Sequence, residues 1–395
     1  MELDSSRAQR RNLTVLLVAI FFIGCGEELW SRFVPNYLVA LGGSVLAVSA
    51  FGTLKDLLDA VYQFPGGVLT ARLGPKKSLL AFNILALAGY AAVALASRWW
   101  IVLLALPLVS AWQSFSLPAT FSIVGDSLRK GERSVAFAYP SIVRRVPIII
   151  APVLGGMLIA TFGLLVGMRT AIAIGIALGI VAALIQLMRY RFAVGTQLSL
   201  AECINDVTSL DPQLKQLLLA DSLVRFGQGI GEVFIVLYAT QIVGVSAPTF
   251  GWLIGLAMLT SIAVYLPVAR NADLRGRGPW VTLTYAFFAI FPLVLALSTT
   301  TLMLVVAFTC MGLREIGEPP RKALLVDLAR SERRSVDVGS YYFTRGLIVF
   351  PASIVGGLLW RVSPHLTFFA AAFVALVGTL VFASTLGRRR NIQPA

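Results

Sequence analysis

Ionisable side chains recur inside the long apolar runs of this chain, and their spacing decides what they can do. Glu27, Glu28 and Arg32 share one run, and Lys55, Asp56 and Asp59 share a second. Arg144 and Arg145 lie in a third, Asp221, Arg225 and Glu232 in a fourth, Arg314, Glu315 and Glu318 in a fifth, and Arg345 in a sixth. A charge at the centre of a bilayer is unfavourable by about 2.5–3.5 kcal/mol on insertion scales, so such groups face a cavity or a partner. Glu28 and Arg32, Lys55 and Asp59, and Arg314 and Glu318 are each four apart, which on a helix brings them onto one face. Pairs of this kind can neutralise themselves. Glu27 and Glu28 differ, because two adjacent acids share Arg32 as their local cation. One of them must hold a proton or meet a cation from another helix. Burial disfavours an ionised carboxyl and a nearby arginine favours it. A carboxyl that can be tipped either way is what proton coupling needs. Gly229-Ile230-Gly231-Glu232 parallels Gly24-Cys25-Gly26-Glu27 and offers Glu232 as the matching acid.

The elements that must hold these groups are long apolar helices. Hydrophobic residues make up 57% of the 395 and charged residues only 13%, against about 25% charged in soluble domains. The runs reach roughly the 20 residues needed to cross a bilayer core of about 30 Å, and in lipid they must be helical so that every backbone polar group finds an internal partner. The reading is an all-α membrane protein with 12 transmembrane helices in two pseudo-symmetric six-helix bundles. The spans fall near 13–41, 45–71, 77–97, 100–125, 135–162, 167–190, 214–243, 248–272, 279–298, 300–327, 336–361 and 364–386. The expected domains are a first bundle over 1–190, a linker over 191–213, a second bundle over 214–387 and a basic tail over 388–395. Leu198 to Val207 is a candidate amphipathic surface helix in the linker.

The halves repeat with an offset of 201 residues. Pro118, Asp126, Arg129, Ser134, Val135, Arg144, Gly155 and Gly156 fall on Pro319, Asp327, Arg330, Ser335, Val336, Arg345, Gly356 and Gly357. Matching apolar halves are the signature of a carrier with its site between them.

The formal net charge of +14 does not point to nucleic acid. Lysine and arginine concentrate in alternate loops and at the termini, Arg321 and Lys322 among them, whereas the intervening loops carry only Arg98, Arg169 and Arg361. That asymmetry places both termini in the cytoplasm, and a bacterial inner membrane is the expected location. Cys25, Cys203 and Cys310 match no metal spacing, and His365 reads as a surface histidine with no partner motif. With no nucleophile triad, metal set or phosphate-cradling glycine loop, the chain reads as a non-enzyme without cofactor or metal.

Three motifs carry a resemblance to the major facilitator superfamily. Gly67 to Lys77, with Arg72 and Gly74, resembles its first cytoplasmic loop motif, although Ala71 stands where the family has an aspartate. The second-half copy, Ala272-Asp273-Leu274-Arg275-Gly276-Arg277, keeps the acid. Ala151-Pro152-Val153-Leu154-Gly155-Gly156 resembles the Gly-Pro-x-x-Gly-Gly motif of the exporter (antiporter) branches. Pro35 and Tyr37 to Gly42 resemble the Pro-x-Tyr-Leu-x-x-Leu-Gly run of drug and proton antiporters.

The resemblance implies a latch at the motif loops and a central cavity lined by the first, fourth, seventh and tenth helices. That places Glu27, Glu28, Glu232, Arg314, Glu315 and Glu318 near the substrate path, with Arg32 and Gln113 beside them. Arg314-Glu315-Ile316-Gly317 is similar to an Arg-x-x-x-Gly motif shortened by one residue, and Gln113 is its counterpart in the first half. Arg144 and Arg345 either bind an anionic substrate or neutralise cavity acids. Asp126 with Arg129, and Asp327 with Arg330, cap helices or contact the basic loops. The expectation is alternating-access, proton-coupled export of a small, partly apolar organic molecule by a monomer. Its partners are then substrate, protons and the lipid bilayer. The alternative is proton-coupled import of an organic anion on Arg144, Arg145, Arg314 and Arg345. A membrane-embedded enzyme and a non-transporting sensor are remoter readings.

Overall fold

Apolar runs of this length can satisfy their backbone in lipid only as helices, and helices are what form. The computed structural model describes residues 2–73, 75–112, 133–189, 211–328 and 334–385, and every regular element among them is helical. In chain order these are α1 (Glu2–Glu28), α2 (Val34–Ala40), α3 (Val45–Leu73), α4 (Pro75–Ala94), α5 (Trp99–Val109), α6 (Arg133–Phe162) and α7 (Leu164–Arg189). They continue as α8 (Pro212–Gly231), α9 (Ala247–Arg275), α10 (Gly278–Leu297), α11 (Thr301–Leu313), α12 (Glu318–Leu328), α13 (Arg334–Val349), α14 (Ala352–Val362) and α15 (Pro364–Thr385). Among the described residues nine helical stretches are long and apolar enough to cross a membrane, and α5 and α11 are shorter apolar helices. Large side chains such as Leu104, Met188, Leu302 and Phe373 stand exposed, as a lipid-facing surface requires.

Several expected spans are broken, and each break has a local cause. The first span divides at a short 3₁₀ turn, Ser31–Phe33, and Pro35 sits in the first turn of α2, where its missing N–H costs nothing. The seventh divides at another 3₁₀ turn, Glu232–Phe234. The tenth is interrupted between α11 and α12, because Pro319 and Pro320 have no N–H to give to the carbonyls four residues back. The turn from Arg314 to Gly317 closes with three-residue bonds instead, such as Glu315 N–H to Gly312 O at 3.2 Å and Ile316 N–H to Leu313 O at 3.2 Å. The eleventh breaks at Phe350 and Pro351.

The chain divides into two compact units, each discontinuous in sequence. The first comprises Met1–Gly43, Val61–Ser199 and Ser246–Trp252; the second comprises Ser44–Ala60, Leu200–Val245 and Leu253–Ala395. In the first unit α1 packs on α6 and α7, and α4 packs on α5 and α7. In the second, α8 packs on α13, α14 and α15, and α10 packs on α11 and α15. The same scheme therefore builds both.

Close contacts hold the 201-residue register. A methyl added at Gly155 would run into the Leu29 carbonyl, and one at Gly356 into the Ile230 carbonyl. Tyr37 donates its hydroxyl to Val93 O at 3.2 Å, and its counterpart Tyr238 donates to Ala296 O at 2.9 Å, two residues beyond the counterpart of Val93. Small residues let helix backbones approach closely enough for such packing. The two 3₁₀ turns, Ser31–Phe33 and Glu232–Phe234, obey the same offset.

Candidate functional site

Along α8, Asp221, Arg225, Gln228 and Glu232 follow one another at spacings of four, three and four, which aligns them as a stripe on one helix face. Asp221 lies at the buried end and is wholly enclosed. It accepts from Tyr341 Oη at 2.7 Å, Arg321 Nη1 at 2.9 Å, Arg345 Nη1 at 3.0 Å and Tyr285 Oη at 3.0 Å. Four donors fill the roughly four lone-pair sites of a carboxylate. Glu318 accepts from Arg321 Nη2 at 2.9 Å and from Arg225 Nη2. Two carboxylates, three guanidiniums and two tyrosine hydroxyls thus tie α8, α10, α12 and α13 together. Arg225 lies 4.7 Å from the centre of the Phe288 ring, and Arg345 lies 4.7 Å from that of Tyr342.

The stripe continues outward as a chain of polar contacts. Arg225 Nη1 donates to Gln228 Oε1 at 2.9 Å, and Gln228 Nε2 donates to Glu232 Oε2 at 3.2 Å. The same Glu232 oxygen lies 3.5 Å from Arg314 Nη1. The Glu232 side chain is 35% exposed and that of Arg314 only 8%. Arg314 otherwise reaches Met311 O at 3.4 Å through Nε, and its guanidinium sits 4.8 Å from the Phe291 ring centre and 5.1 Å from that of Phe288. Ring faces attract the cation, yet they leave its N–H groups short of acceptors. Of the two carboxylates on the stripe, Glu232 is therefore the more open and Asp221 the more fully bonded.

Two readings from sequence need correction. Arg314 and Glu318 do not pair, because the prolines break the helix between them and the four-residue spacing no longer defines a face; Arg314 turns to Glu232 and Glu318 to Arg225 and Arg321. Glu232 is not the counterpart of Glu27. The contact register aligns Gln228 with Glu27 and Glu232 with Ser31, so the Gly-x-Gly-Glu parallel is one helical turn out. His365 is exposed, as a surface histidine should be, and its Nδ1 lies 2.7 Å from Ala296 O, the distance of a donated bond, and 3.1 Å from Tyr238 Oη.

Asp221, Arg225, Tyr285, Arg321 and Tyr341 were not among the expected site residues. The stripe on α8 was the signal for the first two. Arg321 reads as a loop cation beside Pro320, yet it is 2% exposed within α12.

In the first unit Glu28 and Arg32 form the expected pair, with Arg32 Nε at 2.8 Å and Nη2 at 3.3 Å from the two carboxylate oxygens. Glu27 and Arg145 are half-buried. Gly156 lies against the backbone of Ala247 and Pro248, and Gly251 against the Pro152 carbonyl, so the proline–glycine motif does form a backbone-to-backbone contact. Gly67 and Arg72 fall on α3 rather than in a loop, Arg144 on α6, Asp273 and Arg275 on α9, and Asp327 on α12. Gly276 turns the chain after α9 with φ +91°, a conformation glycine adopts without strain. Gly74, Gln113, Asp126, Arg129, Arg330 and the candidate helix Leu198 to Val207 lie outside the described residues. Among the described residues no group of His, Cys, Asp and Glu is arranged to hold a metal ion.

Comparison with known proteins places this arrangement. The family model described as Major Facilitator Superfamily matches residues 16–200 and 217–394. An uncharacterized MFS-type transporter, MJ1317 of Methanocaldococcus jannaschii, is 20% identical over 409 residues, covering 96% of each chain. Among solved structures, a peptide transporter POT in complex with sulfate superposes with a TM-score of 0.76 at 16% identity, covering 97% of each chain. A POT family transporter in complex with 5-aminolevulinic acid superposes with a TM-score of 0.78 at 13% identity, covering 95% of this chain and 96% of that one.

Proposed function

The chain belongs to the Major Facilitator Superfamily, and from that premise we propose that it is a proton-coupled exporter of a small organic molecule, with Glu232 as the proton-carrying group. That it is a multi-pass membrane transporter follows from the family; coupling, direction and substrate are the proposal. The observation that carries it is the contrast between two carboxylates on one stripe. Asp221 accepts from four donors and has no exposure, whereas a third of the Glu232 side chain is exposed and its Oε2 lies 3.5 Å from Arg314 Nη1.

Protonating Glu232 releases Arg314 while Gln228 still ties the site to the buried cluster. Both glutamate and arginine stand at breaks, Glu232 at a 3₁₀ turn and Arg314 at the interrupted tenth span. Carriers commonly build their sites where membrane helices are discontinuous. Export rests on the resemblance of Ala151 to Gly156 to the exporter motif. The lysine and arginine distribution supports cytoplasmic termini. A small organic solute accords with the similar solved structures of a peptide transporter and of a transporter in complex with 5-aminolevulinic acid.

The test is flux in proteoliposomes carrying an internal pH dye and challenged with a panel of small organic solutes. An accepted solute moves protons in the opposite sense through the wild-type protein. Glu232→Gln abolishes that proton movement and keeps solute exchange at equal pH. Intact coupling in Glu232→Gln discards the assignment, and proton movement in the same sense as the solute discards export.

A further inference from the structure

We infer that the transported solute is a zwitterion, its anionic group taken by Arg314 and its cationic group by Asp56, one on either side of Glu232. The proposal rests on the second unit containing the substrate path and deepens that reading by naming the solute class.

Asp56 is the second half of the argument. It belongs to the Ser44–Ala60 segment of the second unit. Its Oδ2 lies over Gly229, 3.9 Å from where a Cβ on that glycine would stand. Gly229 is three residues before Glu232 and four after Arg225, on the same face as both. Asp56 and Glu232 are close enough to act electrostatically on each other. Yet no hydrogen bond or ion pair holds the Asp56 carboxylate among the described residues. Lys55, its chain neighbour, attracts it through space and Asp59 repels it, but neither makes a hydrogen bond or ion pair to it. An ionisable group inside a membrane helix that no hydrogen bond or ion pair holds is a functional-site hypothesis by default.

Arg314 supplies the complementary deficit. Its side chain is more than nine-tenths buried, and its bonds are one long contact to Glu232 and one to Met311 O. A guanidinium has five N–H donors in a planar fork suited to a carboxylate, so most of this fork is unoccupied. Phe288 and Phe291 beside it provide apolar surface for the rest of a solute. When Glu232 takes a proton, the fork is free for the solute's anionic group and Asp56 remains for its cationic one. A solute with a single charge would leave one of the two groups unpaired. Hydrogen bonds to charged groups are strong enough for that deficit to dominate selectivity.

The test uses the purified full-length protein in detergent. Its unfolding temperature is followed against L-phenylalanine, 3-phenylpropionate and phenethylamine, which share one ring and differ in charge. Phenylalanine is expected to bind at least ~10-fold tighter than either single-charge analogue. Asp56→Asn should erase the advantage of phenylalanine over 3-phenylpropionate and leave the latter's own affinity unchanged. Arg314→Gln should erase its advantage over phenethylamine. Equal binding of phenylalanine and 3-phenylpropionate, no binding by any of the three, or an unchanged ratio in Asp56→Asn would each overturn the inference. The last result with altered proton movement would mark Asp56 as a proton site only. Because binding is read at equilibrium without a pH gradient, it stands or falls separately from the assignment of Glu232.

Discussion

The two units share one packing scheme and differ in what threads their interiors. Gly155 against Leu29 and Gly356 against Ile230, Tyr37 and Tyr238, and the paired 3₁₀ turns all recur at the same offset. At that offset Asp221 corresponds to Ile20, Arg225 to Gly24 and Glu232 to Ser31. Ile20 is 3% exposed and packs as an ordinary core residue. The first unit instead buries a neutral amide, Asn83, which donates to Gly179 O at 3.2 Å. Glycines and aromatics therefore specify the fold in both units, and the charged stripe of α8 is an addition the fold does not require.

Substitutions can break or sharpen that comparison. The largest effect is expected for Asp221→Ile, which gives the second unit the residue of the first. It strands Arg321 and Arg345 without their shared carboxylate and should destabilise by about 3–5 kcal/mol in a denaturant titration. A neutral result would mean the cluster is dispensable. Next come Gly155→Ala and Gly356→Ala, where the new methyl meets a backbone carbonyl in each unit. Each should lose about 1–3 kcal/mol, and a large difference between the two would deny that the contact is shared. Tyr37→Phe and Tyr238→Phe remove one buried donor each, for about 0.5–1.5 kcal/mol. Tyr238→Phe should lose more, since its hydroxyl also faces His365. The smallest stability effect, below about 1 kcal/mol, is expected for Glu232→Gln, whose ion pair is long and partly solvated. A variant that loses coupling and keeps its stability separates the chemistry from the scaffold.

Much of the scaffold was legible in sequence because lipid leaves apolar runs a single outcome and because the repeat declares itself residue by residue. Glu28 with Arg32 was legible too, since both groups lie within one turn. The buried cluster was not, because it joins α8, α10, α12 and α13, and no spacing within one run encodes a contact between runs. Arg321 was hidden by its neighbours: Pro319, Pro320 and Lys322 make it look like a loop cation. The pairing of Arg314 with Glu318 assumed a continuous helix through a stretch whose next two residues are prolines. The string Gly-x-Gly-Glu drew Glu27 and Glu232 together by likeness, although the 201-residue offset already placed Glu232 on Ser31. A repeat offset is a stronger guide than a short matching string, because it is fixed by many positions at once.

The account's central claim is that the exchangeable proton resides in the second unit, on Glu232, and not on the acids of the first. Infrared titration of the purified protein reads the carbonyl stretch of protonated carboxyls directly and needs no substrate. The account predicts that Glu232→Gln deletes a component that titrates in the pH range over which transport is driven, and that this component persists in Glu27→Gln and Glu28→Gln. Persistence of that component in Glu232→Gln, or its loss in Glu27→Gln or Glu28→Gln, would contradict it.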